Sequence, residues 1–356
     1  MVAVRICVIA SSRYPIAQPL AGGLETHTYT LVRELRARGH DVTLFAAPGS
    51  DPGLGARLLT IPQFVPSAAA CRDVHVLPTL WMEEHHAYLG LMLELSRSHE
   101  FDVVHNNSIH HLPLAMARTV CAPMITTLHT PPVWSLESAL AFVPAHAMFA
   151  AVSATMAAAW SHVVPSTVVR NGVNLDDWAP GPGGENAVWF GRIVPEKGPH
   201  WAIRAALAAG MAIDLAGPIG DGDYFAQEIA PLIGPRVRYL GHLGRGDLAR
   251  LVGASRVAVV TPCWEEPYGL VVAEAMACGT PVAGFDRGAL HEILERDTGR
   301  LCMPDRVDDL AEAIVEASAL DRGVVRRRAE EALSIERMVD SYESLYSMAA
   351  TTSLAS

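Results

Sequence analysis

CWEEPYGLVVAEAMACGTPVAG, residues 263–284, follows a β-branched run at Val257–Thr261 and reads as a strand, a loop and the start of a helix. The loop carries two acids and a Tyr-Gly step, and the apolar helical pattern behind it holds a further acid. Free backbone N–H groups at such a helix start, together with the helix dipole, can hold a phosphate. Glu266 lies just before the helix and Glu274 about one and a half turns into it. The first acid can meet the group attached to a phosphate, and the second can reach a diol on its other side.

Upstream, Phe190-Gly-Arg-Ile-Val-Pro-Glu-Lys-Gly follows another strand, Ala187–Phe190. Arg192 and Lys197 stand across a turn closed by Gly198, and Pro199 is placed to begin a helix. Two cations at a crevice mouth would neutralise a diphosphate through charge-assisted hydrogen bonds. The chain holds 26 arginines and one lysine, Lys197. A coding bias explains the arginines; the lysine fits a position that needs a compact ammonium rather than a planar fork.

Glu-x7-Glu, with Pro-Tyr-Gly-Leu after the first acid and Ala-Met-Ala-Cys-Gly-Thr-Pro-Val after the second, resembles the donor-binding signature of retaining family 4 glycosyltransferases. The resemblance covers nearly the whole chain. It implies the GT-B fold: two Rossmann-like α/β domains whose parallel sheets face a crevice, with a last helix returning to the first domain. It also implies a nucleoside-diphosphate sugar as donor, UDP ahead of GDP or ADP, and no metal or other cofactor. Arg192 and Lys197 match the family's Gly-Arg-x4-Lys phosphate element, and His129 in TTLHT matches its crevice histidine beside the donor sugar. By the same resemblance Gly22 and Gly23 lie beside the donor phosphate, and Glu266, Tyr268, Gly269, Leu270, Val271 and Glu274 hold the donor. The base packs near His242 and Leu243. His129, Arg192, Lys197 and Glu266 form the expected catalytic set. No residue stands out as a covalent nucleophile. The family therefore implies front-face transfer in which a phosphate oxygen takes the acceptor proton.

Strand-helix alternation runs through both halves of the sequence. Arg5–Ala10, Asp41–Ala46, Val103–His105 and Met124–Leu128 read as strands, Glu25–Arg38 and Glu84–Leu95 as helices. After a break at Asn171-Gly172 and the turn-rich Pro180-Gly-Pro-Gly-Gly, the alternation restarts with Ala187–Phe190, a helix from Pro199, Ala212–Ala216, Val237–Leu240, Val257–Thr261 and Thr280–Gly284. The expected division is an acceptor-binding domain over 1–175, a linker over 176–184, a nucleotide-sugar domain over 185–335, and a helix and tail over 336–356 packing back on the first. Met338, Tyr342, Leu345 and Tyr346 share one face of that closing helix. Ligands are expected at the strands' carboxyl ends.

A net charge of −11 argues against nucleic acid, and no polybasic face or long apolar run suggests strong membrane association. Six cysteines without a Cys-x-x-Cys pair fit reduced thiols in the cytoplasm. The dinucleotide fingerprint G-x-G-x-x-G is missing, which disfavours a dehydrogenase. Asp221-Gly-Asp223 imitates a metal motif but reads better as a turn and helix cap. The histidines lack zinc spacing; His105 and His111 are expected on the acceptor side. Trp81-Met-Glu-Glu-His-His and the stretch Val133–Phe149 are expected to form the acceptor pocket. Weak basic content favours a small soluble acceptor. A nucleotide-sugar 2-epimerase-like enzyme and a polysaccharide- or lipid-directed transferase are the alternatives, and oligomeric state is open.

Overall fold

The computed structural model describes residues 3–74, 77–144 and 147–354. Positions 145–146 of the expected acceptor stretch and 355–356 of the tail lie outside the described residues. Seven strands form the first sheet: β1 (Arg5–Ile9), β2 (Asp41–Phe45), β3 (Arg57–Leu59), β4 (Val103–Asn106), β5 (Met124–Leu128), β6 (Met148–Ala151) and β7 (Thr167–Val168). Their order is β3-β2-β1-β4-β5-β6-β7, and every pair is parallel. Six strands form the second sheet: β8 (Ala187–Phe190), β9 (Ile213–Ala216), β10 (Val237–Tyr239), β11 (Val257–Val260), β12 (Val282–Phe285) and β13 (Gly299–Cys302). Their order is β10-β9-β8-β11-β12-β13, again all parallel.

The inner strands are apolar at consecutive positions because helices cover both faces of each sheet. β8, β11 and β12 are buried at every residue. In each sheet the order reverses beside the first strand, so the loops after β1 and β4, and those after β8 and β11, splay apart at the carboxyl edge and open a crevice. The two edges face each other, and that opposition positions the site.

The expected strands are found, with ends moved by a residue or two. The helix expected from Glu84 begins earlier and spans Thr79–Leu95. Cross-over connections follow nearly every strand, and a parallel sheet requires them. The closing helix runs Ile335–Leu354. Its Met338, Tyr342, Leu345 and Tyr346 are buried in one cluster with Ile6, Val8, Leu31 and Val42, so the helix does return to the first domain.

Two chain crossings join the halves. Val173 pairs with Ser334 in an isolated parallel bridge, with Val173 N–H donating to Leu333 O at 2.8 Å and Ile335 N–H to Val173 O at 3.0 Å. Gly172 has no room for a side chain there: a Cβ would stand 2.6 Å from both Ile335 Cα and Ser334 O. Gly172→Ala is expected to cost about 1–3 kcal/mol through overpacking against backbone, measurable as a lowered denaturation midpoint. The Pro/Gly run is likewise packed rather than loose, since a Cβ on Gly181 would lie 2.3 Å from the Gly253 backbone.

Candidate functional site

A cavity of about 1040 Å³ fills the crevice and is walled by both domains. From the second domain come Arg192 and Lys197 after β8, His242 and Leu243 after β10, and Trp264 to Glu274 after β11. From the first come Gly22 and Gly23 after β1, Ile109 to His111 after β4, and His129 after β5. Every expected site residue therefore stands on this one cavity.

Gly269 takes a left-handed conformation (φ 95°, ψ 55°) and caps the helix Leu270–Ala277. A side chain there would be strained and would crowd Leu290 Cδ1 at 3.2 Å. The turn delivers the first N–H groups of the helix to the cavity, where they lack intrahelical acceptors. Glu274, about one and a half turns into the helix, is buried and lines the same cavity. Burial pushes its pKa from 4.5 to about 8, opposed by the charge of Arg245. Asp177 holds Arg245 at 2.7 Å, and Asp177 also pairs with Arg33 of the first domain at 2.9 Å.

Lys197 Nζ lies 2.5 Å from Glu266 Oε2 and 5.3 Å from the centre of the Trp264 ring. Trp264 Nε1–H donates to the same carboxylate oxygen at 3.1 Å. The lone lysine and the first acid of the signature thus neutralise each other, an ion pair 69 residues apart in sequence that spacing did not disclose. Arg192 differs: its Nε is buried without a partner, and its aliphatic stem is fitted against Gly220, where a Cβ would meet Cγ at 2.7 Å. An unpaired guanidinium nitrogen on a cavity wall is a ready anion ligand.

His129 Nε2–H donates to Asn107 Oδ1 at 2.8 Å. Burial, then the neighbouring His27 and His105, hold its pKa well below the ordinary value, so the ring is neutral. His27 packs edge-on to it at 4.8 Å with both ring nitrogens unpartnered, and burial lowers its pKa to about 4. His242 Nε2–H reaches across the crevice to Leu20 O at 3.2 Å. Gly23 faces Leu270 Cδ1, 3.6 Å from where its Cβ would stand, so the two domains touch beside the helix start.

Tyr268 borders the cavity, and its hydroxyl donates to Asn171 O at 2.6 Å at the domain junction. Two expectations need correction. His105 does not line the acceptor side: it is buried, bonded to Tyr346 Oη at 2.7 Å and Thr127 Oγ1 at 2.8 Å. Phe149 belongs to the hydrophobic core, since its segment forms β6. Of the expected acceptor stretch, Ser135 and Ser138 reach the cavity, as do Trp81, Glu84 and His111. Asp221 caps a helical turn, its Oδ1 accepting from Tyr224 N–H at 2.9 Å. No group of three His, Cys, Asp or Glu among the described residues could hold a metal ion, and no described helix is long and apolar enough to cross a membrane.

Residues 21–177 match the family model Glycosyltransferase Family 4, and 184–319 match Glycosyl transferases group 1. The chain is 28% identical to a glycogen synthase of Mycobacterium tuberculosis (strain CDC 1551 / Oshkosh), covering 91% of this chain and 88% of that one. It is 29% identical to the D-inositol 3-phosphate glycosyltransferase of Mycobacterium avium (strain 104), covering 98% and 92%. Among solved structures, Anabaena HepE in complex with UDP and glucose superposes with a TM-score of 0.76 at 18% identity, over 97% of this chain and 99% of that one. At that identity the superposition speaks for the two-domain fold alone. The family models carry the rest: the chain belongs to the group 1 and family 4 glycosyltransferases, and is an enzyme that transfers a sugar from a nucleotide-sugar donor.

Proposed function

We propose that the protein is a retaining, metal-independent hexosyltransferase that uses a nucleoside-diphosphate sugar, UDP ahead of GDP, and a small soluble acceptor bearing a hydroxyl or thiol. The observation that carries this is the convergence of Arg192, its Nε without a partner, Lys197 and the helix start at Gly269–Val271 on one cavity, with the buried acid Glu274 beyond them. A diphosphate entering there competes for the Lys197 ammonium and frees Glu266 to accept hydrogen bonds from sugar hydroxyls. Glu274 accepts from the ribose diol. His242 and Leu243 border the base.

The bond from the anomeric carbon to the β-phosphate oxygen breaks, and its electron pair stays on the phosphate. Arg192, Lys197 and the helix N–H groups stabilise that growing charge, an electrostatic contribution made where charge develops. The acceptor oxygen bonds to the same face of the anomeric carbon, and its proton passes to the departing phosphate oxygen. Glu266 suits a positioning role better than a nucleophilic one, because Lys197 and Trp264 already engage its Oε2. Neutral His129 can offer a ring nitrogen or its carbonyl to the cationic sugar. The two mycobacterial names give different products and so leave the acceptor to the chemistry of the wall. Six free cysteines favour a reducing compartment, hence the cytoplasm.

The test is a thermal-shift and mass-spectrometric screen of UDP-, GDP- and ADP-sugars with EDTA or a divalent metal. One nucleotide series should stabilise the protein in EDTA, by about 2.7 kcal/mol at a hundredfold excess over Kd, and its sugar should be slowly released. No stabilisation by any donor, a strict metal requirement, or conversion of a donor to its epimer without acceptor would contradict the proposal.

A further inference from the structure

The first-domain wall of the cavity has a chemistry that discriminates among acceptors. Arg13 is the one arginine or lysine that this domain contributes to the wall among the described residues, and it is already spent. Its Nε and Nη2 fork onto Glu84 Oε1 and Oε2 at 2.9 and 3.2 Å. Glu25, a second acid, stands on the same wall. An incoming phosphate would have to break a bidentate pair and then lie beside a released carboxylate, and like charges at such range repel.

What remains is neutral, with aromatic rings set among small, aliphatic and hydroxyl side chains. Trp81, backed by the parallel ring of His85 at 5.0 Å, is 39% exposed and faces the cavity with Tyr14 and Ile109. His110 stacks on Tyr88 at 4.4 Å, and its Nδ1 accepts the Leu112 N–H at 3.2 Å. The ring proton therefore sits on Nε2, which is buried with no protein acceptor. Burial, His111 and His85 hold the His110 pKa down to about 3, so it offers an uncharged N–H at any working pH. Such a donor wants a hydroxyl, ether or carbonyl oxygen, and the flat apolar surfaces want a flat partner.

We infer that the acceptor is an uncharged hydroxyl compound with a flat apolar face, a sugar ring or an aromatic alcohol, and that phosphorylated acceptors are excluded by the Arg13–Glu84 pair. This rests on the transferase reading above. It sets the chain apart from the relative named for D-inositol 3-phosphate.

The experiment supplies the full-length protein with the donor found in the screen and paired acceptors: myo-inositol against D-inositol 3-phosphate, glucose against glucose 1-phosphate, with 4-nitrophenyl glucoside and a simple phenol beside them. Neutral members should be glycosylated with kcat/KM at least tenfold above their phosphorylated partners, and the saccharide and phenol arms tell which flat face is used. Trp81→Ala should raise the acceptor KM about tenfold with a smaller change in kcat. Glu84→Gln should free Arg13 and raise the phosphorylated-to-neutral kcat/KM ratio at least tenfold. Donor consumed with transfer confined to phosphorylated members, or to no neutral member, overturns the inference alone; failure to consume any donor overturns the transferase reading beneath it.

Discussion

Replacing Lys197 with alanine should lower kcat/KM for the donor roughly 10- to 150-fold, the equivalent of one charge-assisted hydrogen bond of about 1.5–3 kcal/mol. The ammonium is half-buried, within 2.5 Å of Glu266 and over the Trp264 ring, so its charge acts where water screens weakly. Both kcat and KM should suffer, because a departing diphosphate needs the cation more than a bound one does. Lys197→Arg is the sharper variant. This chain uses arginine at 26 places and lysine once, and here the ammonium meets one carboxylate oxygen and one indole face, a contact made by a compact charge rather than a planar fork. Arginine should recover less than a tenth of wild-type kcat/KM. Full recovery would mean that charge alone suffices and that the single lysine is an accident of composition.

Glu274→Gln should weaken the donor by a similar factor and also change the pH dependence. With the crevice empty, burial places the Glu274 pKa at about 8, so at pH 6 the carboxyl is almost wholly protonated. Ribose hydroxyls donate to the carboxylate, so the dissociation constant of a UDP-sugar should tighten up to tenfold per unit from pH 6 and level off above 8. The glutamine variant should bind weakly and without that slope. The stability effect has the opposite sense. A folded pKa above the unfolded value of 4.5 means that the native state holds the extra proton between about 4.5 and 8. Stability from this group therefore declines as pH rises through that window, and Glu274→Gln should abolish the decline. A wild-type dissociation constant flat from pH 6 to 8 would contradict the assignment.

Much of this was legible in the sequence, and what was not has identifiable causes. Most inner strands announce themselves because burial on both faces makes them continuously apolar, although Met148–Ala151 did not stand out from the stretch around it. Two edge strands escaped as well: Arg57–Leu59 is three residues long, and Gly299–Cys302 carries a glycine and an arginine. The donor side was readable because backbone demands and ligand chemistry share one short segment. Gly269 must be left-handed, and Glu266 and Glu274 sit either side of the helix start it creates. Contacts between distant segments were not readable. His105 meets Tyr346 across 241 residues, Tyr268 meets Asn171 across 97, and Arg13 meets Glu84 across 71. The first moved a residue expected on the acceptor side into the core, and the other two tie wall residues of the crevice to partners that spacing did not disclose.

Transfer by this site depends on where the diphosphate binds, and a crystal structure with an intact UDP-sugar, grown in EDTA, measures that. It should find the phosphates bonded to Arg192, Lys197 and the backbone N–H groups of Gly269–Val271, the Lys197–Glu266 pair opened with Glu266 on the sugar, and both ribose hydroxyls on Glu274. Phosphates bound elsewhere in the crevice, with Lys197 still closed on Glu266, would contradict it.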